Sequence, residues 1–310
     1  MESQLQDKSA GPTCILNRAS KYVETVREHL VRIAGEFGVQ ARIAVASGEE
    51  LTALAARAVA EHSWPVVAGG GDGTINAVAG ALVGSGTSLG IIPIGTLNHF
   101  AKDMGIPLGL EAAVRNIFTG RVANVDVGEV NGRVFVNNSG IGLYPRIVRQ
   151  REEKQREGHV KPVAFVLAVG SVLRRYSELR VKLRAGEAEA EVQAHRTPFV
   201  FVGNNRYEIS GLEIGKRMSL VSGQLWACMA PPRTNRRNLV RMALRTLTGR
   251  VSDHELHALE AREIWVHTKT SPINVSIDGE VIAMDAPLHY RICPRALGVI
   301  VPARDAAGNG

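Results

Sequence analysis

Apolar and polar positions follow two different rhythms along this chain. Over about the first 120 residues, short apolar runs are each followed by a stretch of helical periodicity. Thr13–Leu16 leads to Lys21–Ala34, and Ala41–Ala46 leads to Glu49–His62. Pro65–Ala68 passes through Gly69–Thr74 into a helix, and Leu89–Ile92 passes through Pro93–Gly95 into another. Strands alternating with helices of about 10–15 residues predict β-α units on a parallel sheet. From Val122 a strand rhythm takes over: Val122–Val127, Val134–Asn137, Leu179–Leu183, Glu189–Ala194, Pro198–Val202, Leu220–Met229, Glu263–His267, Ile273–Ile277 and Leu288–Ile292. Asn131-Gly132, Ser222-Gly223 and Asp278-Gly279 are turn signals between these runs. Two helical stretches, about Pro145–Arg175 and about Asn235–Thr248, interrupt them. The predicted fold class is α/β, with a three-layer N-terminal domain over residues 1–122 and an antiparallel, sandwich-like β-rich domain over 123–310.

Composition narrows what such a chain can do. Of 310 residues, 45% are hydrophobic and 22% charged, enough apolar material for two cores and no bias toward disorder. The first twelve residues hold Glu2, Asp7 and Lys8 and no apolar run, so no signal peptide is expected. The longest uncharged stretch, Gly73–Ala101, is broken by glycines and Pro93, which argues against a membrane-spanning helix. Three scattered cysteines, Cys14, Cys228 and Cys293, form neither a disulfide framework nor a zinc pair, so a reducing cytoplasm is the expected compartment. A net charge of +7 favours anionic partners: nucleotide phosphates, anionic lipid or nucleic acid. Aromatic residues are not interleaved with the basic ones and no zinc-finger or RNA-binding pattern is present, so nucleic acid is not expected.

The most informative segment is Pro65-Val-Val-Ala-Gly-Gly-Gly-Asp-Gly-Thr-Ile-Asn76. An apolar strand runs into four glycines and then into a helix start. Glycines let backbone N–H groups approach a ligand closely, and a helix N-terminus adds donors and a favourable dipole for an anion. Asp72 would repel bare phosphate, but it suits a Mg²⁺ held over phosphates or a place beside the transferred group. The spacing fits neither the P-loop nor the dinucleotide fingerprint. A second strand-turn-helix follows at Pro93-Ile-Gly-Thr-Leu-Asn-His-Phe-Ala101, where the Thr96 hydroxyl and the Asn98 amide are available to phosphate or substrate. Gly86-Thr-Ser-Leu-Gly90 has the spacing of a hydrolase nucleophile elbow, but it precedes a strand instead of following one.

These residues resemble a known family. Gly70-Gly-Asp-Gly-Thr74 is similar to the turn of the diacylglycerol kinase catalytic superfamily, and Pro93–Ala101 resembles a segment of its bacterial lipid-kinase branch. Val125–Asn137 with Gly140–Gly142, and Ile277-Asp-Gly-Glu280, extend the likeness over residues 13–302. The resemblance implies ATP and Mg²⁺ as cofactors, with ATP contacted by Ser47, Gly70, Gly71, Asp72, Gly73, Thr74, Ile75, Asn76 and Thr96. It implies Asp278 as the general base that deprotonates a lipid hydroxyl. Glu280, two residues on in a strand, would share the face of Asp278 and either orient it or share its proton. Asp72 would serve the nucleotide Mg²⁺, and Asn98 would lie on the substrate side. In relatives the C-terminal segment returns to the first domain, which places residues 295–303 there.

Several positions depart from the family pattern. Asn17-Arg-Ala-Ser20 lacks a Pro and a Gly, Ala77 replaces a Glu, and His99 replaces an Asp. Ser222-Gly223 stands where relatives have an Asp-Gly that helps to hold a structural Mg²⁺. Arg233, Arg237, Arg241 and Arg245, spaced by four, form a helical stripe suited to anionic phospholipid. The expected protein is thus a cytoplasmic lipid kinase, peripheral at the inner membrane face, acting on diacylglycerol or, next, a sphingoid base or ceramide. Two other readings stay open: a soluble NAD kinase, and a weakly active lipid-binding regulator suggested by Arg18, Ala77 and Ser222.

Overall fold

The computed structural model describes residues 11–143, 145, 178–186, 193–210, 213–231, 238 and 256–303. The first elements are β1 (Thr13–Asn17), α1 (Val23–Glu36), β2 (Arg42–Ala46), α2 (Glu49–Ala60), β3 (Val66–Gly70), α3 (Asp72–Leu82), β4 (Leu89–Pro93), α4 (His99–Asp103) and α5 (Leu110–Thr119). Strands follow: β5 (Arg121–Val130), β6 (Arg133–Phe135), β7 (Asn138–Gly142), β8 (Leu179–Ala185), β9 (Gln193–Thr197), β10 (Phe199–Asn204), β11 (Tyr207–Ser210), β12 (Glu213–Arg217) and β13 (Leu225–Met229). The chain ends with β14 (His257–Ala261), β15 (Glu263–Thr268), β16 (Ile273–Ile277), β17 (Glu280–Met284) and β18 (Leu288–Val301). It divides into two compact units, residues 1–125 with 295–310, and residues 126–294.

The first unit is built on a parallel sheet in the order β2-β1-β3-β4, extended by the end of β18, where Val299 lies opposite Leu89. All residues of β3 and β4 are buried, as their near-continuous apolar sequence requires of strands covered on both faces. Helix α1 buries Val26, Leu30, Ile33 and Ala34, a stripe at helical spacing that meets Cys14, Leu16 and Val67 of the sheet. Each fully buried Leu or Ile contributes about 2 kcal/mol of transfer free energy. Helix α5 packs beside α1, joined by the stacked rings of Phe37 and Phe118 and by the Arg115–Glu36 ion pair at 2.8 Å. Helix α2 packs on α3.

The second unit is an antiparallel β sandwich. One sheet has the order β14-β13-β10-β7-β16-β17, and the other includes β9, β8, β15 and the first part of β18. Ile141, Val200 and Val275 from the first sheet meet Val181, Val266 and Leu288 from the second in a common core. Strands β11 and β12 form a separate hairpin.

The architecture is the α/β and antiparallel β arrangement the hydrophobic pattern predicts, with local differences. Leu220–Met229 is a strand only from Leu225, because Gly223 at φ 69° turns the chain before it. The last strand reaches Val301 instead of stopping at Ile292. Apart from Pro145 and Asn238, the predicted helices near 145–175 and 235–248 lie outside the described residues, and Arg233, Arg237, Arg241 and Arg245 lie outside with them. Among the described residues no helix is long and apolar enough to cross a membrane.

Candidate active site

In the first unit the chain leaves β1 toward β2 on one side and leaves β3 toward β4 on the other. Such a reversal opens a crevice at the carboxyl ends of the strands, where open α/β sheets bind ligands. Asn17, the last residue of β1, spans this point: its Nδ2 donates to Thr74 Oγ1 at 2.8 Å. The pattern of strand ends identifies this edge, but the sequence marks Asn17 only as the start of a segment that departs from the family pattern and gives it no role in the site. Its partner lies 57 positions away.

The glycine turn after β3 is shaped by close approach. A Cβ on Gly70 would collide with the Thr74 side chain, so the hydroxyl linked to Asn17 needs glycine at position 70. Gly71 caps α3, and the first N–H to find a carbonyl within the helix is that of Ile75, bonded to Gly71 O at 3.0 Å. The N–H groups of Asp72, Gly73 and Thr74 precede that bond and form the positive end of the helix. Asn76 Oδ1 lies buried without a hydrogen-bond partner, an acceptor one turn into the helix.

The second turn packs directly on the first. A Cβ on Gly95 would overlap the Gly71 Cα and would stand 2.8 Å from Asn98 Oδ1 and 3.0 Å from Gly71 N. Asp72 ties the two turns together, since its Oδ2 accepts the N–H of His99 at 3.2 Å and its Oδ1 that of Phe100 at 3.1 Å. Asp72 thereby caps α4, whose own N-cap, Asn98, makes no side-chain cap. Each carboxylate oxygen keeps a lone-pair site beyond these bonds.

Three expectations change here. Asn98 is not offered to a ligand, because its amide is spent within its own turn. Oδ1 accepts Gly95 N–H at 3.1 Å, and Nδ2 donates to Pro93 O at 3.3 Å and Gly95 O at 3.0 Å. These bonds stabilise the left-handed backbone at Asn98, φ 52°. Ile75 is fully buried, with its N–H spent in the helix, so it is a core residue and not a nucleotide contact. Glu280 does not share a strand face with Asp278. Asp278 at φ 46° and Gly279 at φ 94° are the two central residues of a hairpin turn closed by the Ile277–Glu280 pair, which breaks the strand alternation and leaves Glu280 exposed. Ser47 and Thr96 are exposed, Ser47 in the turn after β2 with its N–H on Glu50 Oε2 at 3.3 Å, and Thr96 in the turn after β4.

Asp278, in the second unit, makes more than a hairpin turn. Its Oδ2 accepts the N–H of Val136 at 2.8 Å, and its Oδ1 accepts those of Asn137 and Asn138, each at 2.9 Å. Burial pushes the carboxyl up to about 6, opposed by those three N–H groups and by the charge of Arg217. Three of its roughly four lone-pair sites are filled and one on Oδ2 is left. A carboxylate titrating near 6 and retaining an acceptor site has the properties of a general base at neutral pH.

Protein groups bond directly to the turn at Ser222-Gly223. Gly223 N–H donates to Asp126 Oδ2 at 2.7 Å, Ser222 N–H donates to Asn205 Oδ1 at 2.9 Å, and the Ser222 hydroxyl also donates to Asn205 Oδ1. One carboxylate, already bonded to the turn, is a poor donor set for Mg²⁺. Among the described residues no three His, Cys, Asp or Glu side chains cluster as metal ligands. The residues present do not fit a structural Mg²⁺.

Residues 13–130 match the diacylglycerol kinase catalytic domain, and residues 144–301 match the YegS C-terminal NAD kinase beta sandwich-like domain. The "Probable lipid kinase YegS-like" protein of Pseudomonas aeruginosa is 32% identical over 304 residues, which cover 96% of this chain and 93% of that protein. The diacylglycerol kinase of Bacillus subtilis is 24% identical over 295 residues, covering 91% of this chain and 94% of that one. The crystal structure of a diacylglycerol kinase from Bacillus anthracis shares the fold, with a TM-score of 0.69 at 20% identity, covering 96% of this chain and 98% of that one. Fold and family together define a phosphotransferase of the kinase type. The chain belongs to the diacylglycerol kinase-like lipid kinase family, as its glycine turns led us to expect.

Proposed function

We propose that this protein transfers the γ-phosphate of ATP to a hydroxyl group of a membrane lipid, with diacylglycerol the leading acceptor class and a sphingoid base or ceramide next. The observation that carries the reading is the double glycine turn at the strand ends of the first unit. There Asp72 fastens two backbone nests to one another and the first-turn N–H groups of α3 precede the helix's own bonds. Phosphoryl transfer asks the protein mainly for positioning and for compensation of charge on phosphate oxygens, and N–H groups at a helix N-terminus supply both. Gly71, Asp72, Gly73 and Thr74 would hold phosphates through their backbone. The free lone pairs of Asp72 would hold Mg²⁺, which when bound neutralises charge on the phosphate oxygens.

Asp278 would take the proton of the attacking hydroxyl through its remaining Oδ2 site. Its raised pKa keeps it mostly ionised at pH 7 while making it a stronger base than an ordinary carboxylate. Glu280, exposed on the far side of the turn, has no part in this step. The protein would work in the cytoplasm and attach reversibly to anionic phospholipid through Arg233, Arg237, Arg241 and Arg245.

The test is transfer of labelled γ-phosphate from MgATP to mixed micelles that carry diacylglycerol, sphingosine or ceramide, with NAD in a parallel reaction. A labelled lipid supports the reading and its mobility names the acceptor. Label on NAD alone overturns it in favour of a soluble nucleotide kinase.

A further inference from the structure

Arg217, the last residue of β12, is 5% exposed. Its Nη1 donates to Val136 O at 2.6 Å and its Nη2 to Asn137 Oδ1 at 3.3 Å, and its guanidinium lies 5.9 Å from the centre of the Tyr207 ring. The same short segment, Val136–Asn138, presents its three N–H groups to Asp278. Its carbonyls are held from the other side, Val136 O by Arg217 and by Asn204 Nδ2 at 2.9 Å, and Asn137 O by the Tyr207 hydroxyl at 2.9 Å. The Val136–Asn137 and Asn137–Asn138 peptide groups therefore lie between donors from β10–β12 and the Asp278 carboxylate. Hydrogen bonds in such chains polarise one another, so a cation on Val136 O strengthens the donation of the next N–H.

We propose that Arg217 is a positioning residue for Asp278: by anchoring Val136–Asn138, it keeps three N–H groups converged on the carboxylate and supplies the cation that favours its ionised form. The inference rests on the reading of Asp278 as the base. It is not suggested by the Asp-Gly-Glu motif, because Arg217 is 61 positions away in a hairpin of its own. The surroundings of Asp278 leave this part to Arg217. Glu280 on the same hairpin is exposed, Val136–Asn138 contains no ionisable side chain, Asn204 is neutral, and Tyr207 bonds to a carbonyl. Arg217 is the charged side chain that lowers the Asp278 pKa against the effect of burial.

The test compares Arg217→Gln, Arg217→Lys and Tyr207→Phe with wild type in the full chain, through the pH dependence of kcat/KM for lipid phosphorylation. Arg217→Gln keeps a donor and loses the charge. Removing an opposite charge raises a carboxyl pKa by about one unit or more, so the acid limb should move up by about one pH unit, a roughly tenfold loss of rate on that limb. Tyr207→Phe loses one hydrogen bond without a change of charge, and its limb should stay in place. Arg217→Lys keeps the charge but loses the fork; its limb should stay, while the amides of Val136, Asn137 and Asn138 exchange with solvent at least about tenfold faster than in wild type. A folded Arg217→Gln protein with an unmoved acid limb overturns the inference, as does Arg217→Lys with unchanged exchange at those three amides. The latter decides the matter if Arg217→Gln does not fold. Full activity in Asp278→Asn would instead overturn the base itself, and the two failures are thereby distinguished.

Discussion

Asp278→Asn separates the charge of the side chain from its shape. In the folded protein burial pushes the carboxyl from 3.8 up to about 6 despite three backbone N–H donors. A rise of about two units at about 1.4 kcal/mol each makes the ionised side chain cost the fold about 3 kcal/mol. For an acid whose folded pKa is raised, the stabilising contribution is complete below the unfolded pKa of 3.8 and is lost as pH rises through 6. Asparagine does not titrate. Its Oδ1 can keep the bonds from Asn137 and Asn138, while its Nδ2 faces the Val136 N–H donor to donor, a conflict of about 1–3 kcal/mol. At neutral pH the relief of charge burial and this conflict nearly offset, and the variant should match wild type within about 2 kcal/mol. At pH 4 only the conflict is left, so the stability difference should change by about 2 kcal/mol between pH 4 and pH 7, in the variant's favour as pH rises. Urea unfolding followed by tryptophan fluorescence reads this directly, since Trp226 is buried in the same unit. A difference that stays constant over that range would show that the carboxylate is hydrated in the fold and refute the argument for its tuned basicity.

Three further outcomes follow from the same geometry. Gly95→Ala puts a methyl group on the Gly71 backbone, so calorimetry should find MgATP binding weakened at least about tenfold, with overpacking of about 1–3 kcal/mol in stability; unchanged binding would mean that the two turns do not act together. Asn98→Ala removes three hydrogen bonds that close the second turn and should cost about 3 kcal/mol in denaturant unfolding, whereas a loss only of substrate affinity would return Asn98 to the ligand. Without nucleotide, EDTA and millimolar Mg²⁺ should give the same melting temperature, because Asp126 and Asn205 close the Ser222-Gly223 turn themselves; a Mg²⁺-dependent rise of several degrees would contradict that.

What the sequence revealed, and what it hid, follows from the range of the interactions involved. Apolar runs such as Val66–Ala68 and Leu89–Ile92 are strands because burial on both faces demands such a composition, and a reader of the sequence sees that directly. The glycine turns were equally legible, since close approach and helix starts leave a local signature. Strand β7 was harder to see, with Gly140 and Gly142 in place of β-branched residues; it is held by neighbours on both sides, β10 and β16. The role of Asn98 was misjudged because an asparagine that closes its own turn has the same letter as one that meets a ligand. Glu280 was misplaced because strand alternation was carried through a turn in which two residues have positive φ. Arg217 and Asn17 were invisible in this respect: their partners lie 80–81 and 57 positions away, and only the folded chain brings them together.

The central claim is that this chain moves phosphate from ATP to a lipid hydroxyl with Asp278 as the base. The most direct measurement is single-turnover transfer of labelled γ-phosphate from MgATP to diacylglycerol in mixed micelles, by wild type and by Asp278→Asn, each shown by circular dichroism to be folded. The account predicts labelled lipid from wild type and a rate at least about a hundredfold lower from the variant, the usual range for loss of a general base. Equal rates from the two proteins would contradict it.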